Sequence, residues 1–292
     1  MSFNCKKLKV DEHWDYGSVV ARDFKNDVTG LEKELKCHFQ SSRSKINGEK
    51  YKNAILAIWT DFNGVYSAHK KLVVDAAMFY GKHWTDFHHY EIYNCLALLT
   101  FPLYKDVIKA FGDKNGRLSV YGEIKEYLDS RCGYALSEVT IKDQVHQVIG
   151  SMLELGVLRS FCRGAYILCN KPIYDCVSIY SILLVMSSLR EETDDLTWLT
   201  KCFNFELSED FICFFPMFDY EKIVGEQVWE SYKRNVGSTI QLRDGEWLCT
   251  NEEMLYSNGK RLKDISKNAY LSVKDFKLCY GKETFDTWDV AN

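Results

Sequence analysis

Apolar side chains recur at helical spacing through much of the first hundred residues. Tyr51, Ile55, Ile58, Trp59 and Phe62 form one stripe, and Val65, Ala68, Leu72, Val73, Ala76, Phe79 and Tyr80 form a second. Gly64 and Gly81 mark expected breaks. Thr85 is placed to cap a third helix that ends before Phe101-Pro102. Residues 46–101 therefore read as a small helical bundle. Residues 1–45 are polar and weakly patterned, with Thr29 expected to cap a short helix over 30–40.

The pattern changes after Pro102. Leu103, Val107, Ile108 and Phe111 make a short helical stripe, 112–116 is rich in turn residues, and Arg117-Leu118-Ser119 is a short extended piece. Val120, Ile124, Tyr127 and Leu128 form a second stripe. Thr140 is placed to cap a third helix carrying Ile141, Val145, Val148, Ile149, Met152 and Leu153 on one face. Gly156 sits where a left-handed C-terminal cap belongs. Two short apolar runs around Phe161-Cys162-Arg163-Gly164 then predict a hairpin. The order is helix, strand, helix, helix, hairpin. Together with the phrase LELGVLRSFCRGAYIL, it resembles the winged-helix superfamily over about a quarter of the chain. The resemblance implies a compact module that most often binds nucleic acid and in some members docks proteins. A helical bundle followed by such a module also resembles, in layout alone, DNA-binding accessory proteins of bacterial phage-exclusion systems.

Residues 172–189 are almost uninterruptedly apolar. Four serines, two tyrosines and Asp175 dilute them, and the run falls short of the ~20 residues that span a bilayer. A buried helix is expected. Beyond it, 211–215 looks like a buried strand. Asp219 is placed to cap a helix running to Gly237, and Asp244-Gly245 is a good two-residue hairpin turn. The fold class expected is mostly α with α+β parts: an N-terminal helical bundle (1–101), a central winged helix (102–171) and a C-terminal α+β region (172–292).

Charge sharpens this division. Residues 1–102 hold 14 Lys and Arg against 12 Asp and Glu, and 103–171 hold 10 against 8. Residues 172–292 hold 13 against 21, a net charge of −8. A mildly basic part facing nucleic acid and an acidic part facing protein partners is one reading, and an ordinary solvated surface is the other. The 11 cysteines include no C-x-x-C pair, so zinc-knuckle spacing is absent. The first ten residues have no apolar signal core. Reduced thiols in a cytoplasmic protein without membrane anchorage are expected, with no metal and no cofactor.

Candidate chemistry is sparse. The polar side of the third helix offers Lys142, Asp143, Gln144, His146, Gln147 and Ser151, and the hairpin offers Arg159 and Arg163. Gln and Lys can reach base edges or phosphates in a major groove, and arginines in a wing can reach the adjoining backbone. The nucleic-acid-binding set expected is Lys142, Gln144, His146, Gln147, Arg159 and Arg163. One Lys beside one Asp leaves the helix face nearly neutral, which keeps protein docking open. His83, His88 and His89 lack the H-E-x-x-H spacing of a zinc helix. Glu123-Ile124-Lys125 falls on a helix rather than on the strand that a metal nuclease uses. Phosphate-loop, dinucleotide and nucleophile-elbow motifs are missing. The sequence thus points to a non-catalytic protein that binds double-stranded DNA, or to an adaptor whose central module docks a partner protein.

Overall fold

The computed structural model describes residues 23, 27–40, 45–60, 68–83, 90–114, 117–131, 138–169, 172–173, 176–190, 196–205, 207, 211–212, 215, 218–226, 229–230, 241–243, 246–248, 256–257 and 260–261. The fold is mostly helical with a small antiparallel sheet. One connected set of buried side chains runs from Leu31 to Trp229.

The first helix, α1 (Val28–Gln40), is capped by Asp27 and not by Thr29, which lies inside it. The Asp27 carboxylate accepts the Gly30 N–H at 2.8 Å, satisfying an orphan donor of the first turn. α1 packs on α2 (Lys45–Trp59) through Leu31, Leu35 and Phe39. Lys52 clasps the pair, donating to Glu32 at 3.0 Å and reaching Glu49 at 2.9 Å. Burial pulls the Lys52 pKa down, and the bonds to Glu49 and Glu32 more than offset it, so its net shift is upward. α3 (Ala68–His83) continues through Gly81, so no break occurs there. It contributes Lys70, whose fully buried ammonium donates to the Ala57 and Thr60 carbonyls at the C-terminal end of α2. α4 (Tyr90–Thr100) completes this set, and Thr85 lies outside the described residues.

The next segment contains α5 (Pro102–Asp113), β1 (Arg117–Ser119), a π-helical turn (Val120–Ile124), α6 (Lys125–Arg131), α7 (Glu138–Glu154), β2 (Leu158–Cys162) and β3 (Ala165–Leu168). The three strands are antiparallel in the order β1-β3-β2. α7 starts at Glu138, so Thr140 lies within it instead of capping it. Its end follows the sequence closely. Gly156 takes φ 68°, Val157 N–H bonds Met152 O at 2.9 Å, and Gly156 N–H bonds Leu153 O at 3.1 Å. This is a Schellman cap, with Val157 and Met152 both buried beside it.

α5 runs through Gly112, where a turn was expected. A Cβ at Gly112 would lie 2.6 Å from the Trp198 carbonyl oxygen and 2.7 Å from Trp198 Cβ. Glycine here is a packing requirement of α5 against α9 (Thr197–Thr200), reinforced by Lys201 donating to the Gly112 carbonyl at 3.1 Å.

The apolar run becomes β4 (Pro172–Ile173), paired in parallel with β5 (Asn204–Phe205), followed by α8 (Cys176–Arg190). α8 is buried from Val177 through Met186 and packs against α3, α4 and α10 (Tyr220–Val224). Among the described residues no helix is long and apolar enough to cross a membrane. Two expectations fail beyond α8. Phe211 and Ile212 are helical and Phe215 N–H bonds Phe211 O at 3.0 Å, so a helical turn begins at Phe211 where a strand was expected. A short apolar run carries no period that separates the two states, and here Phe211, Ile212 and Phe215 share the buried side. Asp219 does cap α10, accepting Lys222 N–H at 3.1 Å, but the helix is interrupted at Gly225, with φ 90°, before Glu226, Trp229 and Glu230 are helical again, and Gly237 lies outside the described residues. Farther on, β6 (Gln241–Arg243) pairs with β7 (Glu246–Leu248), and β8 (Tyr256–Ser257) with β9 (Lys260–Arg261).

Gly112→Ala is expected to cost about 1–3 kcal/mol through forced separation of α5 and α9. That lowers Tm by several degrees, read by calorimetry against wild type. An unchanged Tm would show that the contact is slack. Thiol accessibility gives a second check. Cys37 and Cys162 are exposed, Cys95 and Cys202 are buried, and burial pushes the Cys202 thiol up to about 12. Brief alkylation of native protein at pH 8, followed by peptide mass mapping, is expected to modify Cys37 and Cys162 and to spare Cys95 and Cys202.

Candidate nucleic-acid interface

The position of α7 decides which of its polar residues are available. Val145, Val148, Ile149, Met152 and Leu155 are buried against α5, the π-turn and β2. Gln144 precedes Val148 by four residues and Ser151 follows it by three, so both lie on the flank of the buried stripe. Gln144 is half-buried, and its Oε1 is buried without a hydrogen-bond partner among the described residues. Ser151 is buried and donates to the Gln147 carbonyl at 3.1 Å. Neither is the outward polar group expected. Leu153, expected in the core, is instead exposed. Lys142 and Asp143 are exposed, and His146 and Gln147 are half-buried. Val139 joins this outer face at 68% exposure. The surface of α7 is thus close to neutral and partly apolar.

The sheet presents a different surface. Along β1, Arg117 is exposed and Leu118 is buried, the alternation of a strand with one face in the core. Arg117 pairs with Ile167, and Ile167 pairs on its other side with Arg159. Cross-strand partners share a face, so these three form one row on the outer side of the sheet. Leu118, Tyr166, Leu158 and Leu168 belong to the core side. β2 bulges between Ser160 and Cys162, which leaves Phe161 as the extra residue. Phe161 is 53% exposed, and the Arg117 guanidinium carbon lies 3.9 Å from its ring centroid. Arg163 and Gly164 form the tip of the hairpin. Gly164 takes φ 77°, and the space where a Cβ would sit is open, so glycine serves the turn and not a contact.

Arg117, Arg159 and Arg163 are all exposed, and none makes an ion pair with an acidic side chain among the described residues. The structure therefore gathers Arg159 with Arg117, a residue that sequence reasoning passed over as part of a short extended piece. The missed signal was the alternation around Leu118. An inward Leu118 commits Arg117 to the outer face, but its neighbours depend on β3 lying between β1 and β2.

Other chemistry is thin among the described residues. No group of three or more His, Cys, Asp or Glu is arranged to hold a metal ion. His88 and His89 lie outside the described residues. A cleft of about 50 Å³ is lined by Glu91, Asn94, Cys169 and Cys202, among others. It has room for water molecules rather than for an organic substrate. Its Cys202 thiol stays protonated at neutral pH, and Asn94 is engaged by the Tyr104 hydroxyl at 2.7 Å. Comparison of the whole chain with protein-family models, with curated proteins and with solved structures finds no match.

Proposed function

We propose that residues 102–168 form a winged helix that binds double-stranded DNA, with the outer sheet face and the hairpin supplying most of the phosphate contacts. The observation that carries this reading is that Arg117 and Arg159 share one outer row of the sheet with Arg163 at the tip of its hairpin, all three exposed and without acidic partners among the described residues. Guanidinium groups match phosphate oxygens in a planar, two-pronged geometry. Lys142, His146 and Gln147 on α7 then approach the adjoining groove, while Gln144 is kept for packing. The acidic C-terminal region faces protein partners, which fits a non-catalytic accessory factor within a larger complex.

A second reading rests on one specific feature. The outer face of α7 exposes Val139 and Leu153 beside one Lys and one Asp, a composition suited to a protein contact. On that reading the module is an adaptor that docks a partner through α7.

Salt dependence separates the two. Fluorescence anisotropy with random-sequence duplex DNA at two or more salt concentrations is expected to show affinity falling steeply with salt. The double variant Arg159→Ala/Arg163→Ala should lower the log–log slope by about two units, since each lost phosphate contact removes roughly 0.9. Gln144→Leu should leave both affinity and slope unchanged. It fills the same volume without an unsatisfied carbonyl, so thermal stability should hold or rise slightly. Wild-type protein without duplex affinity at low salt would reject the DNA reading in favour of docking. A double variant with the wild-type slope would place the phosphate contacts elsewhere.

A further inference from the structure

Phosphate binding by Arg117, Arg159 and Arg163 needs no aromatic side chain, yet Phe161 stands beside them more than half exposed. Its position is built into the strand. The bulge between Ser160 and Cys162 takes Phe161 out of the regular ladder, and a bulge of this kind re-aims a side chain. Water is a poor environment for a phenyl ring, and large apolar side chains are usually placed in the core. Arg117 reaches across from β1 and lies over the ring at 3.9 Å to the centroid. That contact steadies both side chains through attraction between a cation and the ring face. One face of the ring is covered by the guanidinium. Even with that contact Phe161 keeps 53% of its surface exposed to solvent.

Flat aromatic rings set among arginines suit bases as well as phosphates. Base stacking on an aromatic ring is tolerant of sequence, because every base has a π-face. Within a continuous duplex both faces of each base are covered by its neighbours. Where the duplex opens into single strand, the first unpaired base has a free face and a flexible backbone. We infer that Phe161 stacks on an unpaired base at a junction of double- and single-stranded DNA, while Arg159 and Arg163 hold the flanking phosphates. Recognition is then by DNA structure rather than by base sequence. This rests on the DNA-binding reading of the module and goes beyond it by naming the substrate form.

The test is a competition measured by fluorescence anisotropy with the full chain. A labelled forked duplex is displaced either by the same unlabelled fork or by relaxed, covalently closed circular duplex, compared per binding site. Wild-type protein is expected to prefer the fork by about fivefold or more, the low end of what one base–aromatic stack supplies. Phe161→Ala should abolish that preference and leave affinity for the closed circle within about twofold. Phe161→Trp should keep the preference. Phe161 is on the surface, and a thermal melt of each variant verifies that the fold is intact. A Tm lowered in Phe161→Ala shifts the decision to Phe161→Leu, which keeps apolar bulk without a ring and should also lose the preference. Equal affinity of wild type for fork and circle, or a preference that survives in Phe161→Ala or Phe161→Leu, overturns the inference and leaves duplex binding standing. Absence of affinity for both DNAs overturns the DNA reading and the inference together, and makes Phe161 a protein-contact residue.

Discussion

A helix without a polar face has to be surrounded, and α8 is that helix. Val177, Ile179, Tyr180 and the run from Ile182 to Met186 are all buried, so water is excluded from every side of its middle turns. Each such side chain contributes about 1.5–3 kcal/mol on burial, which makes exposure of any face unfavourable. The wrapping comes from distant parts of the chain: α3 and α4 from before it, and α10 from after it. One of its buried hydroxyls is satisfied within the helix itself. Ser181 donates to the Val177 carbonyl at 2.8 Å, and the Tyr180 ring packs against Phe215 and Phe218. Burial pushes the Tyr180 hydroxyl well above its ordinary pKa, so it stays neutral.

The α5–β3 segment lies in sequence between α4 and α8, and these two helices pack together. Both ends of the segment are therefore anchored to the same core. Further ties hold α5 itself. Trp198 sits against Gly112 with no room for a side chain, and Lys201 reaches the Gly112 carbonyl. Lys70 plays a comparable part in the bundle. A fully buried ammonium is costly to desolvate, and hydrogen bonds to carbonyls at the C-terminal end of α2 offset the cost.

What remains for function is the surface that the core does not claim. Strand alternation sends Leu118, Leu158 and Leu168 inward and leaves Arg117, Ile167 and Arg159 outside. On α7 the core claims Val145, Val148, Ile149, Ser151 and Met152 and half-buries Gln144, so the arginine-bearing sheet is the more distinctive face. Residues 172–230 contain 12 Asp and Glu against 3 Lys and Arg.

Much of this was legible from local pattern. The sequence alone determined that the chain is mostly helical, that 103–155 carries three helical stripes, and that a buried helix occupies most of 172–189, although the structure makes Pro172–Ile173 a strand and starts the helix at Cys176. It also located Gly156 at a helix end and a hairpin about Arg163-Gly164. Those features depend on neighbours a few residues apart, where periodicity and the special conformations of glycine act directly. The tertiary structure alone decided how deeply α7 sinks, and so that Gln144 faces packing and Leu153 faces solvent. It decided that Phe211 begins a helical turn. It reserved Gly112 for Trp198, and it brought Arg117 into a row with Arg159 by placing β3 between their strands. A period names the face that must be buried, but the partner that buries it, and the width of the face it covers, are set by chain segments far away in sequence.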